Sequence, residues 1–272
     1  LVFGLGYPLM FLPLLAARGI IPGADLPGKI GLDTEKASAL LLVLLVLLPC
    51  TLIVTALEGG KPALAALLRR ATTVRFGARW WAVVFALPVI TVLLGLALGD
   101  RLKPPTLLAV ALELQGAAIG FFVVNLWEEI AWAGFLQTRL ERRHNLYVAA
   151  ALTAVPFALI HMPLQVINGV TDPVSLAVGF ALLTVLGLVF RSMLGLLMRG
   201  AANSLLAVGL AHTMFNRSNN TEGVAALLLE GGNRQVAALV ATVALTVVLG
   251  IALRKRTGTD ERRRLDVANG EA

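Results

Sequence analysis

The chain has 272 residues, 58% of them apolar and only 14% charged, against about 25% charged in a soluble domain. That balance excludes an ordinary water-soluble domain. The formal charge of +7 does not argue for a nucleic-acid partner, because the basic residues fall in blocks between apolar spans, as loops facing anionic lipid do. The single cysteine, Cys50, lies inside an apolar run, which excludes an intrachain disulfide and a CxxC metal site.

Apolar spans are predicted at 1–17, 37–57, 79–98, 117–138, 146–163, 174–190, 200–216 and 235–253. A stretch of about 18 or more such residues crosses about 30 Å of hydrocarbon as a helix. The first span has no basic n-region and is read as a membrane segment rather than a signal peptide. Gly and Pro punctuate the gaps, as at Pro27-Gly28, Gly59-Gly60, Pro104-Pro105 and Asp172-Pro173. Residues 61–78, with Leu64, Leu67, Leu68 and Ala71 beside Arg69, Arg70 and Arg75, read as an amphipathic interfacial helix. The stretch 105–138 is too long for one simple span and too short for two with a turn. It is expected to be one membrane helix with an interfacial or tilted lead-in, Glu113 near the boundary.

The expected fold class is therefore all-α: a polytopic membrane helix bundle of about eight transmembrane helices. It forms one domain over 1–253, followed by a charged, disordered cytoplasmic tail over 254–272. Most of the 23 basic residues gather after every second span: Lys61 to Arg79, Arg139 to Arg143, Arg191 and Arg199, and the tail from Arg254. The positive-inside rule then places those ends and both termini in the cytoplasm. The bilayer is the expected partner, and oligomeric state has no signature in the sequence.

Ionisable groups inside a bilayer are costly and mark function. Apart from Glu113, four lie within the predicted spans: Glu128, Glu129, His161 and His212. At the helical rise Glu128 sits about 16 Å from Arg139, His212 about 18 Å from Gly200 and His161 about 22 Å from the start of its span. All three fall in one layer near mid-membrane. His212 and Asn216 are four residues apart on one helix face, and so are Phe157 and His161. Glu128 and Glu129 diverge by about 100° around their helix, so one is expected in the site and the other behind it. Trp127 and Trp132 flank the pair as pocket walls. Taken singly, His161 and the His212–Asn216 pair also read as interhelical hydrogen-bonding groups. Asn125 and Asn203 read that way too.

The run Glu128-Glu129-Ile130-Ala131-Trp132-Ala133-Gly134 resembles the EExxxR-G motif of the CPBP family, which comprises CAAX prenyl endopeptidases and the Abi bacteriocin-processing and immunity proteins. Phe157 to His161 resembles its FxxxH motif and His212 to Asn216 its HxxxN motif. Order and spacing also agree over about 60–220. One position departs: the family's arginine falls at Ala133. No residue close by in sequence replaces it, Arg139 being about 9 Å further along the helix.

The resemblance implies an intramembrane endopeptidase acting on peptide or membrane-protein substrates, such as prenylated or leader peptides. It implies Glu128 with His161 activating water, His212 and Asn216 holding the oxyanion, and Glu129 supporting them. Either no cofactor is required, or Glu128, His161 and His212 form a His₂Glu zinc site. The rival readings are a catalytically inactive scaffold or immunity factor, favoured by Ala133, and a proton-coupled transporter.

Overall fold

The computed structural model describes residues 1–23, 29 and 32–268, with side chains as far as Arg254. The expected turn at Pro27-Gly28 lies outside them. The main helices are α1 (Val2–Ala17), α2 (Thr34–Ala71), α3 (Ala78–Ala97), α4 (Leu107–Leu140), α5 (Leu146–Ile167), α6 (Pro173–Gly200), α7 (Leu205–Asn219) and, after a short α8 (Val224–Leu228), α9 (Arg234–Ala268). A two-residue strand pair, β1 (Arg101–Leu102) and β2 (Leu229–Glu230), joins the connections before α4 and α9. Six of the helices are long and apolar enough to span a membrane; α1, with 16 residues, and α7, with 15, are shorter. The protein is an all-α, multi-pass integral membrane bundle.

Local sequence explains where these helices start. Asp33, Thr106, Asn145, Asp172 and Ser204 each accept a backbone N–H from the first turn of the helix that follows, satisfying donors that have no carbonyl partner within the helix. Pro156 and Pro163 lie inside α5, as membrane helices tolerate. Helix α2 breaks at Gly60, whose φ of 64° and ψ of −161° lie outside the range open to residues with a Cβ. The segment after the break forms the helix expected over 61–78, although it stops at Ala71. Arg70 fastens it to the bundle. Its guanidinium donates to the carbonyls of Asn203 and Gly134 and to Oγ1 of Thr138.

Helix ends sort into two layers, as the alternation of basic gaps predicted. At the basic end Arg139 pairs with Glu58 and Arg199 with Glu141. At the other end Lys36 pairs with Glu222, Asn168 bonds Glu35 and Arg217 pairs with Glu113.

Helix α4 is a single helix, as the reading of 105–138 required. Glu113, expected near the boundary, pairs with Arg217 of α7. Two stretches of α4, Gly120–Asn125 and Ile130–Gln137, widen to π-helical hydrogen bonding. The charged tail continues α9 as helix to Ala268, where disorder was expected; its residues are largely good helix formers. Helix α6 also runs further than the expected 174–190, by about three turns at its C-terminal end. Arg191 is therefore not a loop cation. It lies within the helix and is 0% exposed.

Close approaches at small residues lock the helices that matter for the site. A Cβ on Gly195 of α6 would come within 2.4 Å of Nε2 of Gln137 on α4. One on Gly209 of α7 would come within 3.0 Å of the Cα of Leu126 on α4. Small residues at such crossings let backbones pack directly, which is how membrane helices associate without a hydrophobic driving force between them.

Candidate active site

The polar residues singled out from the sequence do meet, with one exception. Glu129 is wholly buried and lies at the centre of the cluster. Its two oxygens take the fork of Arg191: Nη1 donates to Oε2 at 2.8 Å and Nη2 to Oε1 at 2.5 Å. Oε1 also accepts Nδ1–H of His212 at 2.8 Å. Three helices, α4, α6 and α7, are thus tied together through one carboxylate. Planar two-point recognition of this kind is what guanidinium does best.

The Nδ1 contact assigns the tautomer of His212. The carboxylate has no proton to give, so Nδ1 carries one and Nε2 of a neutral ring keeps its lone pair.

Glu128 is placed differently. It is 8% exposed, makes no hydrogen bond among the described residues, and approaches Nδ1 of His212 only to 3.8 Å. Both acids thus lie within 4 Å of His212 Nδ1 despite the helical angle between them, and they differ in their partners. Glu129 is saturated by partners and Glu128 is free.

Asn216 lies one turn beyond His212. Its amide donates to Oδ1 of Asn125 at 3.2 Å, and Nδ2 of Asn125 donates to Oγ1 of Thr213 at 2.9 Å. Asn125 sits one turn before Glu128 on α4, so the amide pair borders the free carboxylate's helix face.

His161 is the exception. Its Nδ1 lies 2.6 Å from the carbonyl of Phe157 in its own helix, and it contacts neither glutamate. Aromatic rings join it to the cluster instead. Phe157 lies 4.5 Å from the His161 ring and 6.4 Å from Phe190, and Phe190 lies 5.0 Å from His212. Trp132 lies edge-on to Phe157 at 5.7 Å. Trp127 instead donates its indole N–H to the carbonyl of Phe122.

Because His161 stands apart, Glu128, His161 and His212 do not form one ligand set. Among the described residues no three His, Cys, Asp or Glu side chains gather as a metal site. A His₂Glu zinc site does not fit these side chains as they stand.

Sequence reasoning missed Arg191 and underrated Asn125. It treated the motif's cation as lost at Ala133, but a cation arrives from another helix. A signal was present. Arg191 is followed by seven uncharged, mostly apolar residues before Arg199, a pattern that continues a span rather than ending one.

Residues 110–218 match the family model of Rce1-like proteins, described as type II CAAX prenyl endopeptidase Rce1-like. A search of curated proteins finds no match to the chain. The matched stretch is under half of the chain, begins well after the expected start near 60, and contains all three motifs together with Arg191. Over that stretch the chain is similar to the Rce1-like type II CAAX prenyl endopeptidases, the family that its motifs resemble.

Proposed function

We propose that this chain is an intramembrane endopeptidase that hydrolyses peptide bonds of membrane-associated peptides with a water activated by Glu128. One observation carries the reading: of two adjacent buried acids, Glu129 is fully engaged by Arg191 and His212, while Glu128 has no hydrogen-bond partner among the described residues. A free carboxylate in a water-poor site can accept the proton of an attacking water.

The chemistry follows from that division. Water oxygen attacks the scissile carbonyl carbon as its proton passes to Glu128. The tetrahedral oxyanion needs donors fixed in advance, and Asn216 has a second amide N–H beside the one it gives Asn125. His212, its ring oriented by the Glu129 carboxylate at Nδ1, would present Nε2 to the same oxygen and serve as a donor there with a proton taken from solvent before the attack. Collapse of the intermediate returns the proton from Glu128 to the leaving amine. Nε2 of His161 is left available by the bond at Nδ1 and would orient the attacking water or the substrate. The basic end of the bundle, with Arg70, Arg139 and Arg199, would face the cytoplasm together with both termini.

The test is cleavage of a membrane-presented peptide library by purified wild type and Glu128→Ala in parallel, with metal analysis of both. Loss of cleavage in a folded Glu128→Ala protein is the expected result. A wild type that cleaves nothing, with or without added zinc, would sink the peptidase reading in favour of an inactive scaffold.

A further inference from the structure

Arg191 is assigned no role by the motif pattern, yet it is the largest fully buried side chain among the described residues. We propose that Arg191 is a positioning residue of this active site: reaching in from α6, it substitutes for the cation that α4 lacks at Ala133 and holds Glu129 so that its Oε1 fixes the His212 ring. The inference rests on the peptidase reading for its catalytic consequence, but not for its geometry.

Three features separate this from an ordinary structural ion pair. First, the fork and the imidazole share an oxygen. Nη2 of Arg191 and Nδ1 of His212 both converge on Oε1 of Glu129, at 2.5 Å and 2.8 Å. Turning the carboxylate to suit a different cation therefore also turns the histidine. Second, the guanidinium is held between the rings that face the two histidines. It lies 4.8 Å from Phe157, which abuts His161, and 4.9 Å from Phe190, which abuts His212. Third, the backbone at this point is anchored. The Arg191 carbonyl accepts from Nε2 of Gln137 at 3.3 Å, the same nitrogen that Gly195 lets approach one turn on. The helix carrying the arginine and the helix carrying the acid are thus in fixed register where the fork forms.

A buried pair is a poor way to gain stability, since apolar residues of equal volume do as well. Its worth here is directional. A guanidinium fixes both carboxylate oxygens in a plane, whereas an ammonium offers a point charge and leaves the carboxylate free to rotate. In this chain His212 depends on the orientation of Glu129, and the arginine supplies it.

The experiment compares the full-length wild type with Arg191→Lys, which keeps the charge, and with Glu129→Gln/Arg191→Met, which leaves no lone buried charge. Melting temperature is read beside kcat and KM on a quenched-fluorescent peptide library in liposomes. Expected are melting temperatures near wild type, KM within about twofold, and kcat lower by about tenfold or more, because misorientation costs rate rather than binding. Either variant turning over at the wild-type rate while folded would overturn the proposal.

If the wild type cleaves nothing, the peptidase reading fails, but the positioning claim is still decided. The ring-nitrogen chemical shifts of ¹⁵N-labelled His212, identified by its loss in His212→Ala, report the Nδ1–H form directly. That form dominant in the wild type and lost in Arg191→Lys supports the claim. An unchanged signature in Arg191→Lys refutes it.

Discussion

The two halves of α4 are one continuous helix and behave as two different objects. Leu107–Ile119 contributes no buried residue, and Leu107, Leu108, Leu112 and Leu114 are all exposed. From Phe121 to Gln137 the helix is packed almost throughout, with Glu129, Ile130, Ala133 and Gln137 at 0% to within rounding. Composition does not distinguish them, since both halves are apolar. What differs is the solvent: lipid for the first, other helices for the second. In the first half an acid is held near the helix end by Arg217 alone. In the second an acid has a cation, an imidazole and the surrounding helices fixed around it. Hydropathy therefore locates a membrane helix but not the part of it that packs against other helices.

That contrast can be broken or sharpened by substitution. The largest effect is expected at Glu128. Glu128→Gln should lower kcat by about 10²–10⁴-fold, the range for losing a general base, while leaving the melting temperature in detergent unchanged. A folded protein with wild-type kcat would put the base elsewhere. Next comes Arg191→Met, which strands Glu129 without its cation and should cost about 3–5 kcal/mol of stability. Denaturant unfolding of the purified protein checks it, and a loss under 1 kcal/mol would mean that the pair is not sealed from water. Gly195→Val pushes a branched side chain into Gln137 and should destabilise by about 1–3 kcal/mol, measurable as a lowered melting temperature.

In the first half of α4 the expected effects are smaller. Glu113→Gln removes the partner of Arg217, which keeps partial access to solvent, and should cost about 1–2 kcal/mol, less than at the fully enclosed pair. An effect as large as that of Arg191→Met would erase the distinction between the halves. The smallest change is at Asp172, outside the spans, where the Ser175 N–H that it caps holds its carboxyl below the usual range. Its folded value is depressed, so its stabilising contribution is present at neutral pH and fades as pH falls through that lowered value. Asp172→Ala should therefore melt slightly earlier than wild type near pH 7, and the gap should close in strong acid.

The sequence carried the membrane bundle, the alternation of basic ends and the three motifs because each rests on local pattern. Length and apolarity define spans, and a four-residue spacing defines a face. The site was legible as far as Glu128, Glu129, His212 and Asn216, which sit on helices whose depth could be counted from basic ends. Arg191 escaped because a charge was taken to terminate a span, and a buried cation breaks that rule when its partner lies on a distant segment. Counting along α5 gives His161 a depth, but depth says nothing about azimuth. Whether its ring would reach Glu128 depended on the rotation of α5, which no count along the chain supplies.

The π-helical stretches of α4 have a consequence for insertions and deletions. Each wide turn accommodates a surplus residue relative to an α-helix, so α4 carries a built-in phase offset at Gly120–Asn125 and another at Ile130–Gln137. Wide turns of this kind recur at functional sites. Here the two stretches bracket the acidic pair. Deleting one residue inside Ile130–Gln137 would let that turn relax to α geometry, so that the helix on either side could keep its facing. The same deletion in the α-helical Leu107–Ile119 would rotate everything beyond it by about 100°. The stretch beside the acidic pair is thus the one best able to absorb a change of length, while a residue lost between Glu113 and Ile119 turns Glu113 away from Arg217.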